Sequence, residues 1–172
     1  ADNGEPKPLA VCSLGDASCT EGEVSEAFQM ATLKQLPILF FVQDNEWDIS
    51  EFAKGFKGLE TRTIDGTDFI LSYNVIKECL DTIRAERRPM LIHAKVPLLN
   101  HHTSGVRKEW YRDDLAEAEK RDPLPRLRNQ LIIAGMEAAE IKAIEEEAAN
   151  LVAEDYKKAL AEEDPRPEDL FL

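Results

Sequence analysis

The chain has 172 residues, of which 43% are hydrophobic and 32% are charged, and its formal net charge at pH 7 is −13. This composition is typical of a globular protein with one substantial core, and no apolar run is long enough to predict a membrane span. The negative charge argues against nonspecific binding to nucleic acid, because such binding depends on lysine and arginine displacing counterions.

The first predicted unit is a strand, a helix and a second strand. The apolar run 9–14 predicts a buried strand, and the helical spacing of the apolar residues after it predicts a helix that ends near Gln35. Thr20 is predicted to be its N-cap, with Glu23 completing a capping box. The apolar run 38–42 predicts a second strand that is covered on both faces. Together these elements predict a parallel βαβ unit.

Polar residues follow both of these strands. Asp16 comes after the first strand and Asn45 after the second, and the carboxyl ends of parallel strands form the ligand-binding edge of such a sheet. Carboxylate and amide oxygens suit Mg²⁺, which keeps few protein ligands. Each residue also has an ordinary structural interpretation, since Asp16 could cap a helix and Asn45 could form a turn.

The alternation of strand and helix continues along the chain. Residues 59–64 are predicted to form a strand, Thr67 or Asp68 to cap a helix that runs towards Arg87, and residues 90–96 to form another strand. This order predicts an α/β fold, a three-layer parallel sheet with helices on both faces. The buried face of the second helix is predicted to contain Ile70, Leu71, Val75, Ile76, Cys79, Leu80 and Ile83.

The last part of the chain is predicted to be helical. One helix begins at residues 121–123, and an acidic helix covers about 138–163. We therefore expect residues 1–112 to form the α/β core and residues 113–172 to form a C-terminal helical extension.

The segments Gly15-Asp16-Ala17 and Asp44-Asn45, with Glu21-Gly22 between them, resemble the metal and diphosphate motif of thiamine diphosphate enzymes. That motif begins Gly-Asp-Gly and ends Asn-Asn, and the resemblance implies the thiamine diphosphate-binding fold. It implies that the magnesium ligands are Asp16, Asn45 and the main-chain carbonyl of Trp47. It also implies that backbone amides around Ala17 and Ser18 bind the diphosphate.

The motif departs from the family pattern at two positions. Ala17 replaces the third glycine, so the motif requires a negative φ there. Asp44 replaces the first asparagine of the final pair, but the resemblance assigns the metal to the second, which is Asn45.

The segment 100–104, Asn-His-His-Thr-Ser, and the later pair Tyr111-Arg112 resemble the active-site loop of the α portion of 2-oxoacid dehydrogenases, notably the branched-chain type. The resemblance implies that His102 faces the cofactor and serves catalysis as the acyl group passes to a lipoyl arm. It places Thr103 at the position that is phosphorylated in mitochondrial relatives. The turn 65–68 and the C-terminal segment 165–171 also resemble this family. The ordinary interpretation of His102 is a loop histidine that is hydrogen-bonded to the backbone.

These resemblances predict the oxidative decarboxylation of a 2-oxo acid, either branched-chain or pyruvate, by thiamine diphosphate with Mg²⁺ and with acyl transfer to lipoamide. The expected partners are the β portion of the enzyme, fused or separate, and the lipoyl acyltransferase component of a multienzyme complex. We expect an oligomer in the full enzyme, and neither nucleic acid nor a membrane as a partner. Because the family α portion is longer than this chain, we expect a fragment that is inactive alone.

Two other functions are compatible with parts of the sequence. A transketolase-like thiamine diphosphate enzyme can share the metal motif, and a non-catalytic interaction module could use the acidic helices. The three cysteines, Cys12, Cys19 and Cys79, form no CxxC pair, which predicts reduced thiols. The expected location is the cytoplasm of a bacterium, or the mitochondrial matrix if the source is eukaryotic.

Overall fold

The computed structural model describes residues 6–45, 55–101 and 105–171. Within these ranges four strands form one parallel sheet in the order β1-β2-β4-β3, so β2 and β4 are its central strands. The strands are β1 (Ala10–Gly15), β2 (Ile38–Asp44), β3 (Glu60–Asp65) and β4 (Met90–Lys95). The predicted parallel α/β sheet is confirmed.

Five α-helices and three 3₁₀ turns surround or follow the strands in the described ranges. The helices are α1 (Gly22–Lys34), α2 (Phe69–Glu86), α3 (Leu115–Lys120), α4 (Pro123–Ile133) and α5 (Ala138–Ala161). The 3₁₀ turns are Ala17–Thr20, Lys108–Trp110 and Pro167–Phe171. No helix in these ranges combines the length and apolar character needed to cross a bilayer.

The sheet carries a hydrophobic core on each face. On one face Phe40, Val42 and Leu91 pack with Phe28 and Ala31 of α1. On the other face the strand residues Leu39, Ile64, Met90, Ile92 and Ala94 pack with Cys79 and Ile83 of α2. Because successive strand residues point to opposite faces, β2 and β4 supply both cores, which explains their nearly continuous apolar sequences. Helices on both faces confirm the predicted three-layer arrangement.

The start of α1 differs from the sequence prediction. Its N-cap is Glu21, with no side-chain capping hydrogen bond, so the predicted capping box from Thr20 to Glu23 is wrong. The hydroxyl of Thr20 instead donates to the carbonyl of Ala17 at 2.8 Å. Thr20 is therefore the last residue of the 3₁₀ turn that precedes α1, and its hydroxyl bonds back to the first residue of that turn. The predicted end is confirmed, since Gln35 is the left-handed C-cap.

The helix α2 starts as predicted but packs along a narrower stripe. Asp68 is its N-cap and accepts a hydrogen bond from the backbone N–H of Leu71 at 3.0 Å. Cys79 is buried, whereas Ile70 is 51% exposed. Ile70 precedes Cys79 by about two and a half helical turns and so points to the opposite side of α2. The prediction that Ile70 and Leu71 belong to the buried face is wrong.

The chain divides into two compact units, with the boundary between Leu127 and Arg128. The first unit contains the sheet. In the second unit, Arg128 forms an ion pair with Glu145 of α5, beside a cavity of about 300 Å³ that Ile132 and Ile141 also line. The division into residues 1–112 and 113–172 remains a prediction.

Gly66 lies where the turn between β3 and α2 passes the end of β4. Its N–H donates to the carbonyl of Lys95 at 2.9 Å. A Cβ atom at this position would lie 2.6 Å from Cγ1 of Val96 and 3.1 Å from the Lys95 carbonyl oxygen. Glycine is therefore needed here for close approach of the two segments.

We expect Gly66→Ala to lower the free energy of unfolding by about 1–3 kcal/mol, the usual cost of forcing an extra carbon into packed structure. Urea unfolding of the chain, followed by circular dichroism, measures this change. Gly22→Ala is the matched control, since nothing lies within 4 Å of a Cβ at Gly22 and alanine favours a helix. Equal stability of the two variants would contradict the close-approach argument.

Candidate cofactor and metal site

The ends of β1 and β2 lie side by side at the carboxyl edge of the sheet. The two strands pair in parallel, with Gly15 opposite Gln43. Asp16 follows Gly15, and Asp44 and Asn45 follow Gln43. Since paired strands are about 4.8 Å apart, the structure brings these three polar residues to one edge.

Asp16 occupies a buried position directly after β1. It is only 6% exposed, and its main-chain carbonyl accepts a hydrogen bond from the N–H of Cys19 at 3.0 Å. Its side chain does not cap the 3₁₀ turn, and the N-cap of α1 is Glu21. The ordinary helix-capping role that the sequence left open for Asp16 is therefore not observed.

The alanine at the third position of the motif fits the observed turn. Ala17 begins the 3₁₀ turn, and Ser18 follows it; both are exposed. Positive φ at a described non-glycine residue occurs at Gln35 and Arg87 alone. Ala17 thus has the negative φ that the motif requires, and glycine is not needed there.

Cys19 is a buried residue of the 3₁₀ turn after β1, and both Asp16 and Asp44 affect the pKa of its thiol. Burial raises the pKa of its thiol, and the negative charges of Asp16 and then Asp44 raise that pKa further. Its sulfur also lies 3.5 Å from the carbonyl oxygen of Gly15. Both carboxylates therefore lie near one buried thiol, which favours the neutral thiol over a reactive thiolate.

A histidine on the central strand β4 contacts Asp44. Nε2 of His93 lies 2.6 Å from Oδ2 of Asp44, and the main-chain carbonyl of Asp44 accepts from the N–H of Val96 at 2.7 Å. Side chain and backbone of Asp44 are thus both attached to the β4 side of the sheet. Asp44 is therefore firmly positioned immediately before Asn45.

Asn45 is half-buried and is contacted by a residue that is distant in sequence. Nη1 of Arg112 donates to the main-chain carbonyl of Asn45 at 3.2 Å. Nε of Arg112 also donates to Oδ1 of Asp114 at 2.6 Å, and the arginine side chain is only 7% exposed. Arg112 therefore connects the end of the predicted active-site loop to the predicted metal-binding turn.

Other predicted site residues fall outside the described ranges, namely Trp47, His102 and Thr103. The neighbouring His101 is exposed, and its Nδ1 accepts from the N–H of Lys108 at 3.1 Å. The ammonium group of Lys108 donates to the carbonyl of Leu99 at 2.8 Å. These bonds join the segments on either side of residues 102–104.

The carboxyl end of β3 is held by an arginine from α4. Nη1 of Arg126 donates to Oδ2 of Asp65 at 2.8 Å and to the hydroxyl of Thr67 at 2.9 Å, and Nη2 donates to Oδ2 of Asp68 at 2.6 Å. The hydroxyl of Thr67 itself donates to Oδ1 of Asp65 at 2.7 Å. Chiefly through this Thr67 bond, the pKa of Asp65 is lowered from 3.8 to about 2.

We expect Thr67→Val to return the pKa of Asp65 towards 3.8, because valine keeps the shape of threonine but lacks its hydroxyl donor. The native carboxylate stabilises the folded chain above pH 3.8, and this contribution is lost as the pH falls towards 2. The variant should therefore show a weaker pH dependence of stability in this window. Carboxyl NMR titration and acid unfolding measure the two effects.

Thr63→Val is the matched control for this substitution. Thr63 is an exposed residue of the same strand, and its hydroxyl contacts His93. Its replacement should leave the pKa of Asp65 at about 2. An unchanged pKa of Asp65 in Thr67→Val would refute the assignment of the shift to the Thr67 hydroxyl.

The sequence prediction did not identify His93 or the role of Arg112. His93 stands as the single histidine in the apolar run 90–96, which is a weak signal because a histidine in a strand has many ordinary partners. The sequence pattern marks Arg112 only as part of the pair Tyr111-Arg112. Both contacts join residues that are far apart in sequence, so the local pattern could not reveal them.

The fold and the polar carboxyl edge of the sheet indicate a class of protein. A parallel sheet with helices on both faces, and with polar residues gathered at its carboxyl edge, is an α/β ligand-binding architecture. The chain matches the family model described as "Dehydrogenase E1 component" over residues 3–168. The chain therefore belongs to the dehydrogenase E1 component family, which confirms the family resemblance predicted from its motifs. Membership implies the use of thiamine diphosphate.

Individual relatives agree with this assignment. The mitochondrial 2-oxoisovalerate dehydrogenase subunit alpha of Mus musculus and that of Homo sapiens are each 28% identical over 179 residues, covering 95% of this chain and 40% of the relative. The pyruvate dehydrogenase E1 component subunit alpha of Rickettsia felis is 28% identical over 173 residues, covering 91% of this chain and 52% of the relative. The chain thus spans about half or less of the length of these relatives.

Proposed function

We propose that this chain is part of the α portion of an enzyme that uses thiamine diphosphate to decarboxylate a 2-oxo acid oxidatively and transfers the acyl group to lipoamide. The observation that carries the proposal is that Asp16 and Asn45 directly follow two strands that pair in parallel, at the same edge of the sheet. Family membership and the names of the relatives, 2-oxoisovalerate and pyruvate dehydrogenase subunits, support this reaction class.

Asp16 and Asn45 fit a Mg²⁺ site through the chemistry of their oxygens. Asp16 offers a buried carboxylate and Asn45 offers an amide oxygen at the same edge. Mg²⁺ is typically bound by one or two carboxylates together with substrate phosphates, so a full cage of acidic residues is not required. No group of three or more His, Cys, Asp and Glu residues converges on a metal position in the described part of the chain. The proposed set instead adds the Trp47 carbonyl.

Other residues are proposed to contact the cofactor itself. The backbone amides around Ala17 and Ser18 are proposed to bind the diphosphate, whose charge Mg²⁺ would offset. Thiamine diphosphate supplies the electron sink that decarboxylation requires. His102 is proposed as the catalytic residue, which orients the cofactor and moves a proton during acyl transfer.

The proposed assembly includes the β portion of the enzyme, a lipoyl acyltransferase component and an oligomeric full enzyme. The relatives support this through their names, since "subunit alpha" denotes one part of a larger protein. The proposed location is the mitochondrial matrix for a eukaryotic source and the cytoplasm for a bacterial one.

We expect Asp16→Asn, and separately Asn45→Leu, to abolish or strongly weaken Mg²⁺-dependent binding of thiamine diphosphate to the complete enzyme, because each substitution removes a hard oxygen donor or its charge. Isothermal titration with thiamine diphosphate, at several Mg²⁺ concentrations, measures this binding. The enzyme must contain the full α portion and the β portion, since this chain covers only part of its relatives.

Asp65→Asn is the matched control, because Asp65 is also a carboxylate at the carboxyl edge but is bonded to Thr67 and Arg126. Its cofactor affinity should stay close to that of the wild type. If Asp16→Asn and Asn45→Leu bind the cofactor as tightly as Asp65→Asn does, the metal assignment is wrong.

The reaction itself is tested by lipoamide reduction on a panel of 2-oxo acids, with a lipoyl domain present. Pyruvate and branched-chain 2-oxo acids are the substrates to compare, because the relatives include dehydrogenases of both kinds. Lipoamide reduction would exclude a transketolase-like reaction. Magnesium-dependent cofactor binding would exclude a purely structural interaction module.

A further inference from the structure

A buried polar pair lies one residue before the proposed ligand Asn45. The side chains of His93 and Asp44 are 16% and 5% exposed, and their atoms Nε2 and Oδ2 are 2.6 Å apart. The two atoms are within direct hydrogen-bond distance. Buried polar contacts of this kind rigidify the structure around them.

The second nitrogen of the ring extends the contact to a third strand. Nδ1 of His93 lies 3.4 Å from the hydroxyl oxygen of Thr63, and the strand register places Thr63 directly opposite His93. On its other side His93 is opposite Val42, two residues before Asp44. The histidine on β4 therefore bridges its two neighbours, β3 and β2.

The position of Asp44 makes this bridge relevant to the edge. Asp44 ends β2, and Val96, which follows β4, donates to its carbonyl at 2.7 Å. His93 fixes the side chain of the same residue. The direction in which the chain leaves β2, and so the position of Asn45, depends on how Asp44 is held.

We propose that His93 is a positioning residue for the cation site, holding Asp44 so that Asn45 leaves β2 in the orientation needed to bind Mg²⁺. This inference rests on the proposed function, because it takes Asn45 as a ligand. His93 acts through Asp44 and does not itself coordinate the cation.

Loss of His93 would disturb Asp44 more than the loss of an exposed contact would, because the Asp44 side chain is buried. Removing one hydrogen-bond partner from a buried polar group costs free energy, and the group can lower that cost by shifting its position. The expected response is a rearrangement of the end of β2, which includes Asn45.

The experiment measures the Mg²⁺ affinity of the complete enzyme from the Mg²⁺ dependence of thiamine diphosphate binding, with thermal unfolding recorded in parallel. His93→Ala is expected to weaken Mg²⁺ affinity about 10–100-fold, the usual effect of removing a residue that orients a metal ligand. Thr63→Val removes only the longer contact on the other ring nitrogen and should leave the affinity close to that of the wild type.

Two conservative variants separate positioning from general stability. His93→Gln places an amide N–H near the position of Nε2 and should restore most of the affinity. His93→Asn places its amide near Nδ1, cannot reach Asp44 in the same way and should resemble His93→Ala. This pair carries the test even if His93→Ala does not assemble.

A double-mutant cycle tests whether His93 acts through Asp44. In the background of Asp44→Ala, the change His93→Ala should add little further loss of Mg²⁺ affinity, because the contact is already absent. Additive losses would overturn the proposed route through Asp44.

The remaining outcomes distinguish this inference from the proposed function. If the wild type binds thiamine diphosphate without any dependence on Mg²⁺, both are wrong. If wild-type binding depends on Mg²⁺ but His93→Ala and His93→Asn keep its affinity, only the positioning role is wrong, and a lower unfolding temperature in those variants would show that His93 is merely structural.

Discussion

The parallel pairing of β1 with β2 is the constraint on which the candidate site depends. Their register, with Gly15 opposite Gln43, places the two strand ends at the same level of the sheet. Residues that are 29 positions apart in sequence, Asp16 and Asn45, thereby reach neighbouring positions. A shift of register by one residue would turn every side chain of a strand to the opposite face, which the two cores on either side of the sheet oppose.

The carboxyl edge is organised by contacts that each join distant parts of the chain. His93 holds Asp44, and Arg112 binds the carbonyl of Asn45. Arg126 binds the turn after β3, which lies two strands from β2 in the sheet. Exposed ion pairs contribute little to stability, whereas partly buried charges with well-placed donors fix geometry. These contacts therefore matter mainly because they determine where the backbone goes after each strand.

Much of the fold follows from patterns that are local in sequence. Apolar runs identified β1, β2 and β4. The end of α1 near Gln35 and the cap of α2 at Thr67 or Asp68 were also predicted from local signals, and the structure has Gln35 and Asp68 there. The errors came where tertiary or alternative local contacts decided the outcome. The hydroxyl of Thr20 bonds to Ala17 instead of capping α1, and Ile70 lies opposite the stripe of α2 that meets the sheet. Propensity and capping rules cannot choose between such competing partners.

The sequence by itself determined the alternation of strands and helices, the apolar character of β2 and β4 and the presence of oxygen-bearing residues after β1 and β2. These features depend on side-chain periodicity and chain order. Only the tertiary structure decided the strand order β1-β2-β4-β3 and the contacts made by His93 and Arg112. The physical reason is that β4 inserts between β2 and β3, so the partner of Asp44 comes from a strand 49 residues away. Such a contact has no local signature, since it forms only after the sheet has assembled.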